Sequence, residues 1–112
     1  MISKALIAAS TKPIILSILL NDENYGYQII QSVKRISGGQ LDWSDGMLYP
    51  VLHRLEKDGF IRSRWIISEE GRRRKYYSIT DLGREELEAD MAQWESVHEA
   101  LSKLWKPQPS FE

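Results

Sequence analysis

The chain contains no cysteine, and that single absence removes disulfide cross-links, thiolate metal sites and cysteine nucleophiles together. Histidine is scarce as well: the two present, His53 and His98, lie far apart, and neither has an acidic or second histidine ligand at metal-binding spacing. No cofactor or metal is expected. There is no recognisable nucleophile with a paired base and no phosphate-binding loop, so an enzyme is not expected either. The first residues lack a basic stretch leading into an apolar run with a cleavage site, and no apolar segment reads as approaching the length of a membrane span. The expectation is a cytoplasmic protein with no membrane partner. Net charge is also small, at −1, which at face value disfavours nucleic acid, whose binding domains are usually basic overall.

What the chain has is a strongly uneven charge distribution. Between residues 60 and 79, Arg62, Arg64, Arg72, Arg73, Arg74 and Lys75 face only Glu69 and Glu70. From residue 80 onward the balance reverses, with Arg84, Lys103 and Lys106 against Asp81, Glu85, Glu86, Glu88, Asp90, Glu95, Glu99 and Glu112. One end of the molecule attracts polyanions and the other repels them. With 112 residues and 42% hydrophobic content, the chain suits one folded unit, and a unit this small gains buried area by pairing with a copy of itself.

The pattern predicts helices first. Thr11 and Pro13 are placed to open a buried helix carrying Ile14, Ile15, Leu16, Ile18, Leu19 and Leu20, as a cap and a first-turn proline. Asn24 is placed to cap a second, with Tyr25, Ile29, Val33 and Ile36 at helical spacing and Gly38 and Gly39 ending it. Ser44 or a neighbour opens a third, with Leu48, Leu52 and Leu55 inward and Gly59 as its stop. Pro50 places the regular start of that helix nearer Gly46, which leaves the proline in the first turn. Residues 60 to 68 and 75 to 79 read as a hairpin turned by Glu69, Glu70 and Gly71, with the basic run at or just after the tip. Thr80 caps a final helix about 38 Å long. Its stripe of Leu87, Met91, Trp94, His98, Leu101 and Trp105, flanked by Val97 and Leu104, exceeds what a small body covers and wants a second chain.

The expected fold is mainly α with a small β-hairpin: a winged helix-turn-helix over residues 1–79, a dimerisation helix over 80–106 and a loose tail over 107–112. In that arrangement the third helix enters the major groove and the hairpin follows the backbone. Ser44, Tyr49, His53, Arg54 and Lys57 are the groove-side candidates; an amphipathic core helix with a solvated polar face fits the same residues. Four consecutive cations, Arg72, Arg73, Arg74 and Lys75, are most readily rationalised by phosphate neutralisation, with a solvated turn as the alternative. A rival function is a winged helix that binds another protein and has no specific DNA partner. On the strand, Tyr76 and Tyr77 alternate, one inward and one outward, and Trp65 reads as wing packing.

These stretches resemble the PadR-type transcriptional regulators. The matching pieces are Tyr25-Gly26-Tyr27-Gln28-Ile29-Ile30, Gly46-Met47-Leu48-Tyr49-Pro50 with Arg54-Leu55-Glu56, Asp58-Gly59-Phe60-Ile61, and Arg73-Arg74-Lys75-Tyr76-Tyr77 with Ile79-Thr80 and Gly83. Together they cover nearly the whole chain, and their order and spacing are specific. The resemblance implies a dimeric repressor whose third helix and wing bind a palindromic double-stranded DNA operator, and whose last helix makes the homodimer through Leu87, Met91, Trp94, Val97, Leu101, Leu104 and Trp105. The chain departs from the pattern at Met47, where the family usually has threonine; a methionine either touches a thymine methyl or simply packs. A single C-terminal helix is similar to the smaller branch of the family, some of whose multidrug-sensing members hold planar aromatic compounds between subunits beside a tryptophan matching Trp94. That implies an effector site of Trp94, Met91 and His98, with Asp90 balancing a cation and Leu6 and Ala9 closing the pore. Trp94 as plain dimer core and His98 as a packed side chain are the alternatives.

Overall fold

A computed structural model describes residues 1–106; the tail expected over 107–112 lies outside the described residues. The elements run α1 (Lys4–Asn21), β1 (Asn24–Tyr25), α2 (Gly26–Ile36), α3 (Asp45–Lys57), β2 (Ile61–Ile67), β3 (Arg73–Ile79) and α4 (Asp81–Trp105). The architecture is mainly helical with one small antiparallel sheet, in winged-helix order.

Three of the helix starts follow from hydroxyl caps, which satisfy amides that a helix leaves unpaired in its first turn. Ser3 Oγ accepts from Leu6 N at 3.2 Å, Ser44 Oγ from Met47 N at 3.2 Å and Thr80 Oγ1 from Gly83 N at 3.0 Å. The first helix therefore opens about nine residues earlier than Thr11 and Pro13 suggest. Thr11 is instead buried, its hydroxyl donating to Ile7 O at 2.7 Å, and Pro13 sits inside the helix. The proline withholds only the bond to the Ala9 carbonyl, and Ala9 is exposed to water. Pro50 likewise lies in the second turn of α3 rather than the first, opposite the exposed Gly46.

The second helix is capped differently from the expectation. Asn24 pairs with Tyr77, and Tyr25 with Tyr76, as a short third strand, and the cap position passes to Tyr25 without a side-chain bond. The sheet is thus three-stranded in the order β1-β3-β2, not a bare hairpin. In the wing Ile61 pairs with Ile79, Trp65 with Lys75 and Ile67 with Arg73. Since β3 begins at Arg73, three of the four cations stand on a strand and alternate faces, and only Arg72 belongs to the turn. Gly71 makes that turn at φ 81°.

Ile15, Leu16, Ile29, Leu48, Leu52 and Ile61 form a core in which each is almost wholly buried, and each such side chain contributes about 1.5–3 kcal/mol. Leu41 and Trp43, in the α2–α3 connection, also join it. Ile36 does not; it is 74% exposed at the end of α2. By length and composition α1 is apolar enough to cross a membrane, with a mean hydropathy of 1.3 over 18 residues, contrary to the sequence expectation. Here it packs against α2, α3, α4 and β3 as the helix around which the body forms.

The body does not end at residue 79. Gly83 and Leu87 in the first two turns of α4 are buried within the chain, and Leu87 is only 2% exposed. Expected on the dimer seam, Leu87 instead belongs to the core and has no surface left for a partner. Lys12 Nζ lies 3.4 Å from both Glu86 and Asp90 carboxylates, tying α1 to this part of α4. From Met91 to Ala100 every residue is exposed. The helix leaves the body there, which accounts for a radius of gyration of 17.1 Å where a compact chain of this length would have about 13 Å.

Candidate nucleic-acid interface

The geometry of α3 sorts its side chains by helical period. Leu48, Leu52 and Leu55 face the core. Gly46, Pro50, His53, Arg54 and Lys57 are exposed around the opposite side. Tyr49 lies on the flank toward the sheet, 45% exposed, with its ring over Gly26 at the start of α2. A Cβ added to Gly26 would stand 2.8 Å from Tyr49 Cζ, so the absence of a side chain at Gly26 sets how closely α2 and α3 cross. Met47 is on the other flank and packs partly buried against the core. Of its two expected roles, packing is present in the free protein, and its remaining exposed surface borders the cleft beside Arg54. Arg54 lines the same flank as Met47, beside a cleft of about 740 Å³ bounded by Lys4, Ile7 and Phe60. Ser44 has its hydroxyl engaged as the cap.

The wing cations have unequal freedom. Arg72 and Arg73 are exposed, whereas Arg74 and Lys75 are half-buried. The Arg73 guanidinium lies 4.8 Å over the Trp65 ring, and the Arg74 guanidinium 4.6 Å over Tyr25. A ring beneath each guanidinium attracts it while leaving the charge available to an anion. Tyr25 in turn meets Tyr76 edge-on, with centroids 5.2 Å apart. Lys75 is different: its ammonium lies 3.7 Å from Glu56 of α3, and it is not a free cation. Arg64 is also engaged, bonding Glu23 through both Nε and Nη2. That hydrogen bond holds Glu23 below the usual carboxylate range and raises Arg64.

A shallow groove of about 370 Å³ joins Tyr27, Tyr49, Trp65, Arg73 and Arg74, with Lys75, paired to Glu56, also on its wall. It brings the start of α2, one flank of α3 and the wing onto one continuous surface. Tyr27, 63% exposed, was not among the expected contacts; its position after the buried Gly26 at the helix start was the available signal. Cations and aromatic faces in this combination suit a phosphate backbone and base edges.

The effector candidates converge only in part. Trp94 and Met91 line an apolar groove of about 340 Å³ with Pro13, Ile14, Ile18 and Ile36. Leu6 and Ala9 are exposed one turn nearer the start of α1 and do not line it. Asp90 faces Lys12, an ion pair without hydrogen-bond alignment that leaves Asp90 Oδ2 unfilled, so its charge is already balanced from within the chain. His98 is exposed on the projecting part of α4.

Comparison with known proteins agrees with this geometry. The sequence pattern described as the transcriptional regulator PadR-like family matches residues 15–89, a span holding the core, α3 and the wing. The chain belongs to the PadR-like family of transcriptional regulators. Among solved structures it is similar to a transcriptional regulator from Clostridium thermocellum, at 31% identity and a TM-score of 0.84, over 95% of this chain and 100% of that one. A PadR-like transcriptional regulator from Bacillus cereus is similar at 30% identity and a TM-score of 0.83, over 94% and 100%. In sequence the chain is 32% identical to the transcriptional regulator YqjI of Escherichia coli across 79% of its own residues but only 41% of that protein, so it spans less than half of that relative. PadR-like proteins are DNA-binding transcriptional regulators and not enzymes, and this chain is a winged-helix member of that family.

Proposed function

We propose that this PadR-like regulator is a cytoplasmic repressor that binds a palindromic operator as a homodimer and leaves it when a planar aromatic effector binds. The observation that carries the reading is the continuous surface of Tyr49, Trp65, Arg73 and Arg74, beside the exposed Arg72 and the outer face of α3. In use, α3 enters the major groove with His53 and Lys57 toward the bases, and the wing arginines neutralise phosphates. The winged-helix body, which takes in the first two turns of α4 as far as Leu87, and the projecting remainder of α4 divide these tasks. The dimer is supported by exposed apolar side chains on α4: Val97 at 56%, Leu104 at 79% and Trp105 at 73%. Leu101 extends the same stripe. A second copy places two α3 helices about 34 Å apart, one turn of DNA.

Titrating salt against binding to a mixed DNA pool tests the reading. Several phosphate contacts impose a steep, linear fall of log affinity with log salt. No binding at low salt would sink the repressor and favour a protein-binding winged helix.

The effector part rests on Trp94, which is 39% exposed over the apolar groove. An indole stacked on a planar ligand contributes about 0.5–2 kcal/mol beyond burial. Trp94→Ala is therefore expected to weaken binding of planar cationic dyes by roughly 2- to 30-fold, while sedimentation still shows a dimer held by Val97, Leu101 and Leu104. Unchanged dye affinity would make Trp94 dimer core only.

A further inference from the structure

Glu56 stands where three elements meet. Its Oε2 accepts from Ser63 Oγ of β2 at 2.5 Å, and its Oε1 lies 3.7 Å from Lys75 Nζ of β3. Lys75 in turn lies 5.6 Å over the ring of Tyr77, which is buried beneath it. Burial first, then the charge of Glu56 and Tyr49, holds the Tyr77 hydroxyl above the usual phenol range. The two oxygens of one carboxylate on α3 thus engage both strands of the wing.

We propose that Glu56 is a positioning residue that fixes the wing against the DNA-reading helix, and that Lys75 is its counter-charge and not a DNA contact. The inference rests on the DNA-binding reading and says which residues set the geometry of that surface. Its physical basis is leverage. The wing is rooted in the core at Ile61 and Ile79, and from Ile79 to Arg73 the strand extends about 20 Å. A rotation of about 10° at the root moves the tip by about 3.5 Å over that length, enough for the wing to keep its phosphates while α3 meets the base edges at a different angle. Glu56 binds the wing at two heights, at Ser63 near the root and at Lys75, which pairs with Trp65 further out, and so resists its swing. An ordinary exposed ion pair contributes little to stability. Here the effect is on the relative placement of α3 and the wing, so discrimination between sequences is affected more than folding.

Glu56→Gln and Lys75→Ala, measured against a selected operator and a scrambled duplex across a salt series, test this. Glu56→Gln keeps a hydrogen-bond acceptor for Ser63 and releases Lys75 to the backbone. The expected result is a salt slope steeper by about 0.9 per subunit and a ratio of operator to scrambled affinity reduced by at least about tenfold, a difference of 1.4 kcal/mol. Lys75→Ala leaves the slope unchanged and lowers the ratio. In the Lys75→Ala background, Glu56→Gln no longer alters the slope; a change that persists there is repulsion between Glu56 and DNA and overturns the inference. A slope made shallower by Lys75→Ala, or a ratio untouched by Glu56→Gln, overturns it equally. Amide hydrogen exchange of the free protein separates the clamp from the DNA reading. Glu56→Gln should speed exchange of the β2 and β3 amides and leave α1 and α2 unaltered. Unaltered wing exchange in Glu56→Gln defeats the clamp, whereas faster wing exchange in Glu56→Gln, with a parent protein that binds no DNA, keeps the clamp and defeats the DNA reading.

Discussion

Arg72→Ala combined with Arg73→Ala is expected to cut operator affinity about 100-fold near physiological salt and to make the salt slope shallower by about 3.6 for the dimer, since each phosphate contact contributes about 0.9 to the slope. These two are the exposed members of the basic run 72–75, and Arg73 lies over Trp65. The loss should be similar for operator and random DNA, because phosphate contacts position a protein without reading sequence. Arg74→Ala alone should cost less, because that side chain is half-buried over Tyr25. Circular dichroism should be unchanged in the double variant. An unaltered slope in a folded double variant would remove the wing from the interface.

Gly83→Ala should have the largest effect on folding. Thr80 Oγ1 donates to Gly59 O at 2.6 Å and Thr80 N donates to Phe60 O at 3.0 Å, which draws the first turn of α4 tightly onto the start of β2. A Cβ at Gly83 would collide with the Phe60 carbonyl oxygen and come within 2.8 Å of Ile79 Cγ1. The carbonyl is backbone and already committed to Thr80, so it does not yield as a flexible side chain would. Overpacking of this kind costs about 3 kcal/mol, a fall of roughly 10 °C in Tm for a chain of this size. Gly46→Ala is the matched control. It is an exposed helical glycine whose nearest neighbour to an added Cβ is Ser44 Oγ at 3.9 Å, and the substitution should stabilise by up to about 1 kcal/mol. Equal Tm for Gly83→Ala and the parent would refute the close approach of α4 to β2.

The parts of the fold that were legible in the sequence are those carried by periodicity and by caps. Leu48, Leu52 and Leu55 announced the inner face of α3, Ser44 and Thr80 announced two helix starts, and Gly38, Gly39 and Gly59 two stops, each with positive φ. The misreadings came where a local signal had two meanings. Thr11 and Pro13 resemble a helix start, but Ser3 makes the start and the helix runs through the proline. Asn24 resembles a cap, yet its backbone completes a strand whose partner lies some fifty residues away, and no local pattern encodes that pairing. Leu87 fits the heptad of the projecting helix as well as it fits the core; only the docking of α4 on α1 decides between them.

The candidate interface was legible as charge but not as geometry. Four adjacent cations looked equivalent in sequence. The strand register separates them, sending Arg73 to Trp65, Arg74 to Tyr25 and Lys75 to Glu56. Asp90 met the same fate, since its partner Lys12 is distant in sequence. In each case the missing information was a long-range partner for a charged group, and charge counts along a chain do not carry it.

Hydroxyl-radical footprinting of the full chain on an operator selected from random DNA tests the central claim most directly. Two symmetric protected zones, centred about 10 base pairs apart on one face of the duplex, are the expected result, with each zone extended on its outer side by the wing. A single unsymmetrical zone, or no protection at a salt concentration where the protein is folded, would contradict the account of a dimer that reads DNA with α3 and holds it with the wing.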